Sequence, residues 1–424
     1  MFAPGWSPVI RAQVLISGET SAAGGRDASS AWCSGARGTR IGCMYDAIVV
    51  GARCAGSPTA MLLARKHHRV LLLERASFPS DTIRNHFIQH SGVVQLHRWD
   101  LLRMVIASNC PPISTFTTDF GDFPLCEPVE QGDGVDATYA PRRIVLDKLL
   151  ADAAVAAGAE LRERFAVHEL LWDDDRVVGI RGRSSGGAMI DEHARIVVGA
   201  DGAHSVVAKA VKATRYNEHP ALTYSYYSSF SDVPMAGIEV CIRPRRTYIN
   251  FPTNDGLTCV AMQAPVSGFS TFRSDIEGSF YQALDTVPEL AERVRAGRRA
   301  ERWYGTADLT NFFHLPYGPG WALVGDAGFH KDPILAQGIS DAFRDAELLA
   351  SAIDDGLAGR SPLNDALREY EQRCNDLAFP GYAQNLAAAS FLPPPPEVIA
   401  QRATAHAAQP SPRPRFHPQP PADT

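Results

Sequence analysis

Residues 45–74 read YDAIVVGARCAGSPTAMLLARKHHRVLLLE, and this stretch restricts the fold more than any other part of the chain. YDAIVV is a short apolar, branched run of the kind that forms a buried strand. AGSPTAMLLAR follows with helical spacing, and HRVLLLE reads as a second strand ending on Glu74. Gly51 permits a sharp turn out of the first strand, and Gly56 lets the helix lie close against it. The start of that helix presents unpaired N–H groups and a partial positive charge, which suits a pyrophosphate. Glu74, 23 residues after Gly51, is placed to accept hydrogen bonds from the hydroxyls of an adenosine ribose. Arg53 stands where the middle glycine of the dinucleotide fingerprint is expected. Its side chain must point away from the phosphates or lie along them as a charge partner, and an arginine beside a diphosphate is electrostatically welcome. The site is therefore expected to survive, with Ala55 beside the phosphates. Taken alone, the segment would also fit an ordinary strand–helix turn.

Three further segments bear on that choice. IVVGADGAHSVVAKAV at 196–211 runs strand, turn, helix, with Asp201 and Gly202 at the turn. GWALVGDAGFHKDPILAQGISDAFRDAELLA at 320–350 gives a strand, then Gly325 and Asp326, a loop with Pro333, and a long helix beginning near Gly338. Asp326 leaves a strand end, where ligands of open α/β sheets bind. APRRIVLDKLL opens a helix at about 142–157 with Arg143 near its start. A cation there opposes the helix dipole unless an anion lies nearby. Each feature alone is also explained by a turn, a cap or a solvated arginine.

Together, and in this order, the segments resemble the FAD-dependent monooxygenases of the para-hydroxybenzoate hydroxylase fold, with geranylgeranyl-reductase-like flavoproteins in the wider circle. The resemblance covers roughly residues 44–390. It implies an α/β fold: a Rossmann-like FAD-binding domain joined to an α+β second domain with a mixed antiparallel substrate-binding sheet. It also implies roles. Gly51, Arg53, Ala55 and Gly56 would lie at the FAD pyrophosphate, Glu74 at the adenosine ribose and Arg143 by the diphosphate and ribityl chain. Val167 would offer backbone to the adenine. Asp201 and Gly202 would lie near FAD and a passing nicotinamide, Gly325 and Asp326 at the ribityl chain, and Pro333 and Gly338 beside the isoalloxazine. Arg53 departs from the family's usual glycine.

The organisation expected is a discontinuous FAD domain from 44–113, 141–215 and 311–390, with a strand-rich substrate domain from 114–140 and 216–310. The runs STFTTDF, LTYSYYSSF, GIEVCIR, RTYINFP and LTCVAMQAP carry the second domain. Residues 165–199 alternate like an antiparallel meander. Residues 1–43 read as a disordered extension and 391–424 as a disordered Pro-rich tail. The net charge of −6 shows no global bias toward nucleic acid, and no apolar run reaches membrane-helix length. Eight scattered cysteines without a CxxC pair argue against zinc and suit reduced thiols, hence a cytoplasmic setting. Oligomeric state is left open.

No second glycine fingerprint appears, so NAD(P)H is expected to bind transiently as electron donor. The chemistry the resemblance implies is hydroxylation of a small aromatic or polyketide-like molecule by molecular oxygen, through a flavin hydroperoxide. Such a site needs a dry pocket with a few donors. Candidates are His330, Lys331 and Asp332 near the GD loop, Tyr224, Tyr226 and Tyr227 on the sheet, and His86 and His90 after the second strand. Tyr224 and Tyr226 share one face and Tyr227 takes the other. No catalytic base is assigned. The alternatives are a flavin-dependent carbon–carbon double-bond reductase and a non-catalytic flavin-fold protein. A halogenase fits less well, because no WxWxIP segment is present.

Overall fold

The computed structural model describes residues 44–80, 86–392 and 396–408. The expected extension at 1–43 lies outside the described residues. The strand Tyr45–Val50 sits at the centre of a parallel array. Val70–Leu73 and then Glu160–Arg162 pair on one side of it, and Met189–Gly199 and then Trp321–Leu323 on the other. Pleating sends Ala47 and Val49 to one face and Ile48 and Val50 to the other. The first face is covered by the helices Gly56–Arg65, Arg143–Ala156 and Gly338–Leu357, through residues such as Leu63, Leu146 and Phe343. The second packs on an antiparallel meander, Ala166–Asp173, Arg176–Arg183 and Met189–Gly199, through Phe165, Val177 and Ile180. Both faces are buried, which is why these strands are apolar throughout.

A second sheet runs in the order Arg298–Arg299, Thr223–Ser231, Thr258–Pro265, Arg246–Pro252, Ile238–Arg243, Thr115–Asp119, Pro124–Pro128. It is antiparallel except where Ile238–Arg243 runs parallel to Thr115–Asp119, so the sheet is mixed. Its outer face is covered by the helices Phe269–Ser274, Ile276–Leu284 and Pro288–Ala296. Its inner face joins Phe87, Ile113 and Ala336 in a separate apolar cluster. A three-stranded sheet of Arg215–His219, Asn311–His314 and Phe329–His330 lies under the helix Leu363–Ala389.

One expectation is corrected. Residues 396–408 of the supposedly disordered tail form the helix Pro396–Ala408. A proline is tolerated in a helix's first turn, and the alanine-rich run that follows favours helix. Arg402 lies 5.0 Å from the Phe120 ring and His406 stacks 5.2 Å from Phe123, so the helix docks on the hairpin that joins Thr115–Asp119 to Pro124–Pro128. No helix among the described residues is long and apolar enough to cross a membrane.

Candidate cofactor and substrate site

Four turns meet at the carboxyl ends of the parallel strands. Gly51 has φ +103°, and a methyl group there would sit 2.5 Å from the Ala200 carbonyl oxygen. A methyl on Gly56 would sit 1.8 Å from the Gly51 carbonyl oxygen, so helix and strand touch backbone to backbone. A methyl on Gly325 would lie 2.6 Å from Ala55 Cβ, which brings the 325–326 turn against the start of the first helix. That helix has no side-chain cap at Ala55; Ser57 N–H donates to the Arg53 carbonyl at 2.9 Å and Pro58 has no N–H, so the Gly56 N–H is what its first three residues can offer the junction. Glu74 is buried, and its two oxygens accept the N–H groups of Ala52 and Ala76 at 3.1 and 3.0 Å. These bonds hold the carboxylate beside the glycine turn. Phe165 N–H donates to the Glu74 carbonyl, which sets Val167 two residues from the acid.

Arg53 leaves the turn sideways. Its guanidinium donates to Asp147 Oδ2 at 2.6 Å and to Ser80 Oγ at 3.0 Å, and lies 5.7 Å from the Phe78 ring centroid. Asp147 is fully buried. It also accepts from Arg143 Nε and Nη2, at 2.9 and 3.1 Å, and from the Cys54 thiol at 3.4 Å. Burial pushes that thiol up to about 12, so Cys54 is a donor and not a nucleophile. Arg53 and Arg143 thus converge on one carboxylate beside the glycine turn. The sequence reading names both arginines and passes over Asp147. The signal is its position four residues after Arg143, on the same helix face.

Gly202 has φ +84°, and Asp201 Oδ2 accepts Val206 N–H at 2.6 Å. Asp201 Oδ1 is buried without a partner among the described residues, and burial raises the group's pKa. Gly325, Asp326, Lys331, Gly338, Asp341 and Ala342 line a small cleft. A methyl added at Gly338 would meet open space, so the N-terminus of the 20-residue helix Gly338–Leu357 is bare there. Lys331 Nζ is paired to Asp341 at 2.8 Å and donates to Gln337 Oε1 at 2.5 Å. Pro333 opens a single 3₁₀ turn, which ends on Ala336 in the left-handed region at φ +51°.

The candidate donors separate. Tyr224 and Tyr226 face the outer helices, with ring centroids 5.3 and 5.0 Å from Phe272. They are packing residues on the face opposite Tyr227. Tyr227 takes the inner face, stacked on Tyr304 at 5.2 Å and edge-on to His86 at 5.7 Å. His330 is likewise structural. It is buried in the three-stranded sheet with Nδ1 at 2.6 Å from the Thr310 carbonyl, and its ring lies 5.8 Å from Phe312. Asp332 is buried and accepts Thr223 Oγ1 at 2.6 Å and Ile334 N–H at 3.1 Å; burial pushes it up to about 6. His90 begins the helix His90–Arg98, 3.8 Å from Glu130. His86 is buried against Tyr227 and Phe251, and burial with the charges of Arg143 and Arg142 pushes it down to about 3.

A polar seam fixes the second sheet to the first domain. Arg142 N–H donates to Asn254 Oδ1 at 2.9 Å, and Thr253 Oγ1 donates to the Ala140 carbonyl at 2.6 Å. The Arg142 guanidinium binds Asp255 and Glu301, and Ser229 Oγ donates to Glu301 at 2.8 Å. The sheet's inner face is thereby held toward the turn that carries Ala336.

The cradle fits a dinucleotide diphosphate on its own terms: glycines that admit no side chain, a helix start without a side-chain cap, two convergent arginines and an acid at the second strand end. Comparison with known proteins agrees. Residues 44–379 match the family described as FAD binding domain. Digeranylgeranylglycerophospholipid reductase 2 of Methanococcoides burtonii is 30% identical over 338 residues, 77% of this chain and 79% of that protein. Among solved structures, the myxobacterial chondrochloren halogenase CndH superposes with a TM-score of 0.76 at 24% identity, over 85% of this chain and 89% of its own. PqsL of Pseudomonas aeruginosa, described as a probable FAD-dependent monooxygenase, superposes with a TM-score of 0.73 at 19% identity, over 85% of this chain and 100% of its own.

Proposed function

This chain belongs to the FAD binding domain family, and we propose that within it the protein is an NAD(P)H-consuming monooxygenase acting on a small aromatic or polyketide-like molecule. FAD is its cofactor and oxidoreduction its activity. The observation that carries the finer reading is the inner face of the second sheet. Phe87, Tyr227, Ile249, Phe251 and Ala261 form a dry, aromatic-rich wall that closes on Ala336, at the turn before Gly338. Water exclusion at such a wall suits oxygen transfer to an apolar ring.

FAD, when bound, would supply the redox chemistry between a nicotinamide donor and oxygen. The chain's own residues do the rest. Glu74 would hold the adenosine ribose and Val167 would lie by the adenine. The helix start at Ala55 and Gly56 would face the diphosphate, with the Arg53–Asp147–Arg143 cluster as its electrostatic backing. Asp326 would hold the ribityl chain, Asp201 with Gly202 would flank cofactor and nicotinamide, and Pro333 and Gly338 would flank the ring. Residues 44–113, 141–215 and 311–390 act as the FAD-binding part, and 114–140 with 216–310 as the substrate part. The enzyme works in the cytoplasm with molecular oxygen as co-substrate and without nucleic acid.

The test is NAD(P)H oxidation by the flavin-loaded protein under air and under argon, against a panel of aromatic compounds. Substrate-stimulated oxidation that needs oxygen and yields a hydroxylated product supports the reading. A second reading, carbon–carbon double-bond reduction, is favoured by the 30% identity to an archaeal reductase. Reoxidation of the reduced flavin by an alkene under argon would select it.

A further inference from the structure

Among the described residues, His86 combines three properties found together at no other candidate donor. It is buried, its Nδ1 has no hydrogen-bond partner, and its ring neighbours belong to the inner face of the second sheet. The Tyr227 and Phe251 centroids lie 5.7 and 6.5 Å from its own, both nearly perpendicular. The backbone that follows is pinned on the cofactor side. Ile88 N–H donates to the Tyr139 carbonyl at 2.9 Å, Gln89 Nε2 to the Leu335 carbonyl at 2.9 Å, and Gln89 N–H to Ser340 Oγ at 3.2 Å. His86 therefore sits where the loop carrying Pro333 and Gly338 meets the aromatic wall.

A buried ring nitrogen without a partner is costly, and such atoms in folded proteins ordinarily have a use. Among the described residues, Arg143 and Arg142 act on it by their charge, and both already bind carboxylates: Asp147 for the first, Asp255 and Glu301 for the second. Burial first, and then repulsion from these two arginines, disfavours a proton on His86 and leaves the imidazole neutral. A neutral imidazole has one nitrogen lone pair to offer and suits an uncharged donor, not an acid.

We propose that His86 sets substrate choice: its imidazole accepts a hydrogen bond from a hydroxyl or ring N–H carried by an aromatic molecule that packs against Tyr227 and Phe251. His86 has this role only if the aromatic wall is the substrate site, as proposed above. No proton leaves the substrate in this contact; the residue orients the ring and rejects analogues that lack the donor.

The experiment titrates FAD-loaded protein with 2-naphthol and with 2-methoxynaphthalene, and reads binding from the flavin absorbance. The expected result is about tenfold tighter binding of 2-naphthol, the worth of one hydrogen bond. His86→Phe keeps an aromatic ring and should bring the two affinities within twofold. His86→Asn keeps an acceptor at the δ position and should retain the preference, and its retained flavin spectrum shows that the site is intact. Equal affinities in the unaltered protein, saturable binding of neither compound, or a preference that survives His86→Phe overturns the proposal. So does a His86→Phe variant whose flavin potential shifts while the preference stays, since the nitrogen then serves the cofactor. Turnover plays no part in these titrations. A protein that shows the preference yet never consumes oxygen refutes the monooxygenase reading and leaves His86 its role.

Discussion

Replacing Asp147 with asparagine takes away the carboxylate on which Arg53 and Arg143 converge. The Asp147 side chain is 0% exposed, that of Arg143 8% and that of Arg53 22%. Breaking a buried ion pair ordinarily costs about 3–5 kcal/mol, because the surviving charge stays buried. Arg53 recovers part of this, since Glu74 lies 3.9 Å from its Nε and the side chain reaches solvent. The expected loss for the apoprotein is therefore about 3 kcal/mol. At roughly 2–4 °C per kcal/mol for a domain of 150–250 residues, Tm should fall by about 6–12 °C. FAD changes the balance. Its diphosphate brings two negative charges to the same turn, so the flavin-loaded variant should lose less than half as much. FAD should then raise the Tm of Asp147→Asn by more than it raises that of the unaltered protein. Thermal denaturation with and without excess FAD reads both quantities. An equal loss in the two states would mean that the arginines do not face the diphosphate, and the electrostatic argument for Arg53 would fail with it.

Other outcomes follow from the same geometry. Gly56→Ala places a methyl 1.8 Å from the Gly51 carbonyl oxygen, so the variant should purify without flavin absorbance. Burial holds Asp332 up to about 6, above the ordinary aspartate value of 3.8. The folded state keeps a proton that the unfolded chain releases, so this contribution to stability is full below about pH 4 and is lost as pH rises to about 6. Asp332→Asn should flatten that slope in chemical denaturation and raise stability at pH 7 by on the order of 2 kcal/mol. Tyr226→Phe should leave kcat and KM within twofold, because the ring faces Phe272; Tyr227→Ala, on the inner face, should lower kcat/KM at least tenfold.

Much of the glycine turn was legible because backbone constraints show in the sequence. A glycine with φ +103° and another pressed on a carbonyl admit few other residues, so Gly51 and Gly56 announce the turn. Glu74 is legible for a similar reason, since an acid closing an apolar strand needs an anchor. Asp147 was harder. Four residues from Arg143, it reads like any surface helix pair, and only the fold shows that both side chains are buried. The tyrosines show a different limit. Alternation sets Tyr227 against Tyr224 and Tyr226, yet both faces of that sheet are apolar, one under helices and one over the cofactor side. Pattern alone does not say which face looks inward. His86 reads in the sequence as one of two loop histidines, because its burial comes from Tyr227 and Phe251, on a sheet built from distant strands. The helix Pro396–Ala408 was hidden by the prolines around it.

The account stands or falls on FAD at the Gly51–Gly56 turn. The direct measurement is a titration of flavin-free protein with FAD, followed by absorbance and flavin fluorescence, beside the same titration of Gly56→Ala. The account predicts one FAD per chain with a dissociation constant in roughly the micromolar range or below, and loss of binding in the variant. Absence of binding by the unaltered protein, or an affinity that Gly56→Ala leaves unchanged, would contradict it.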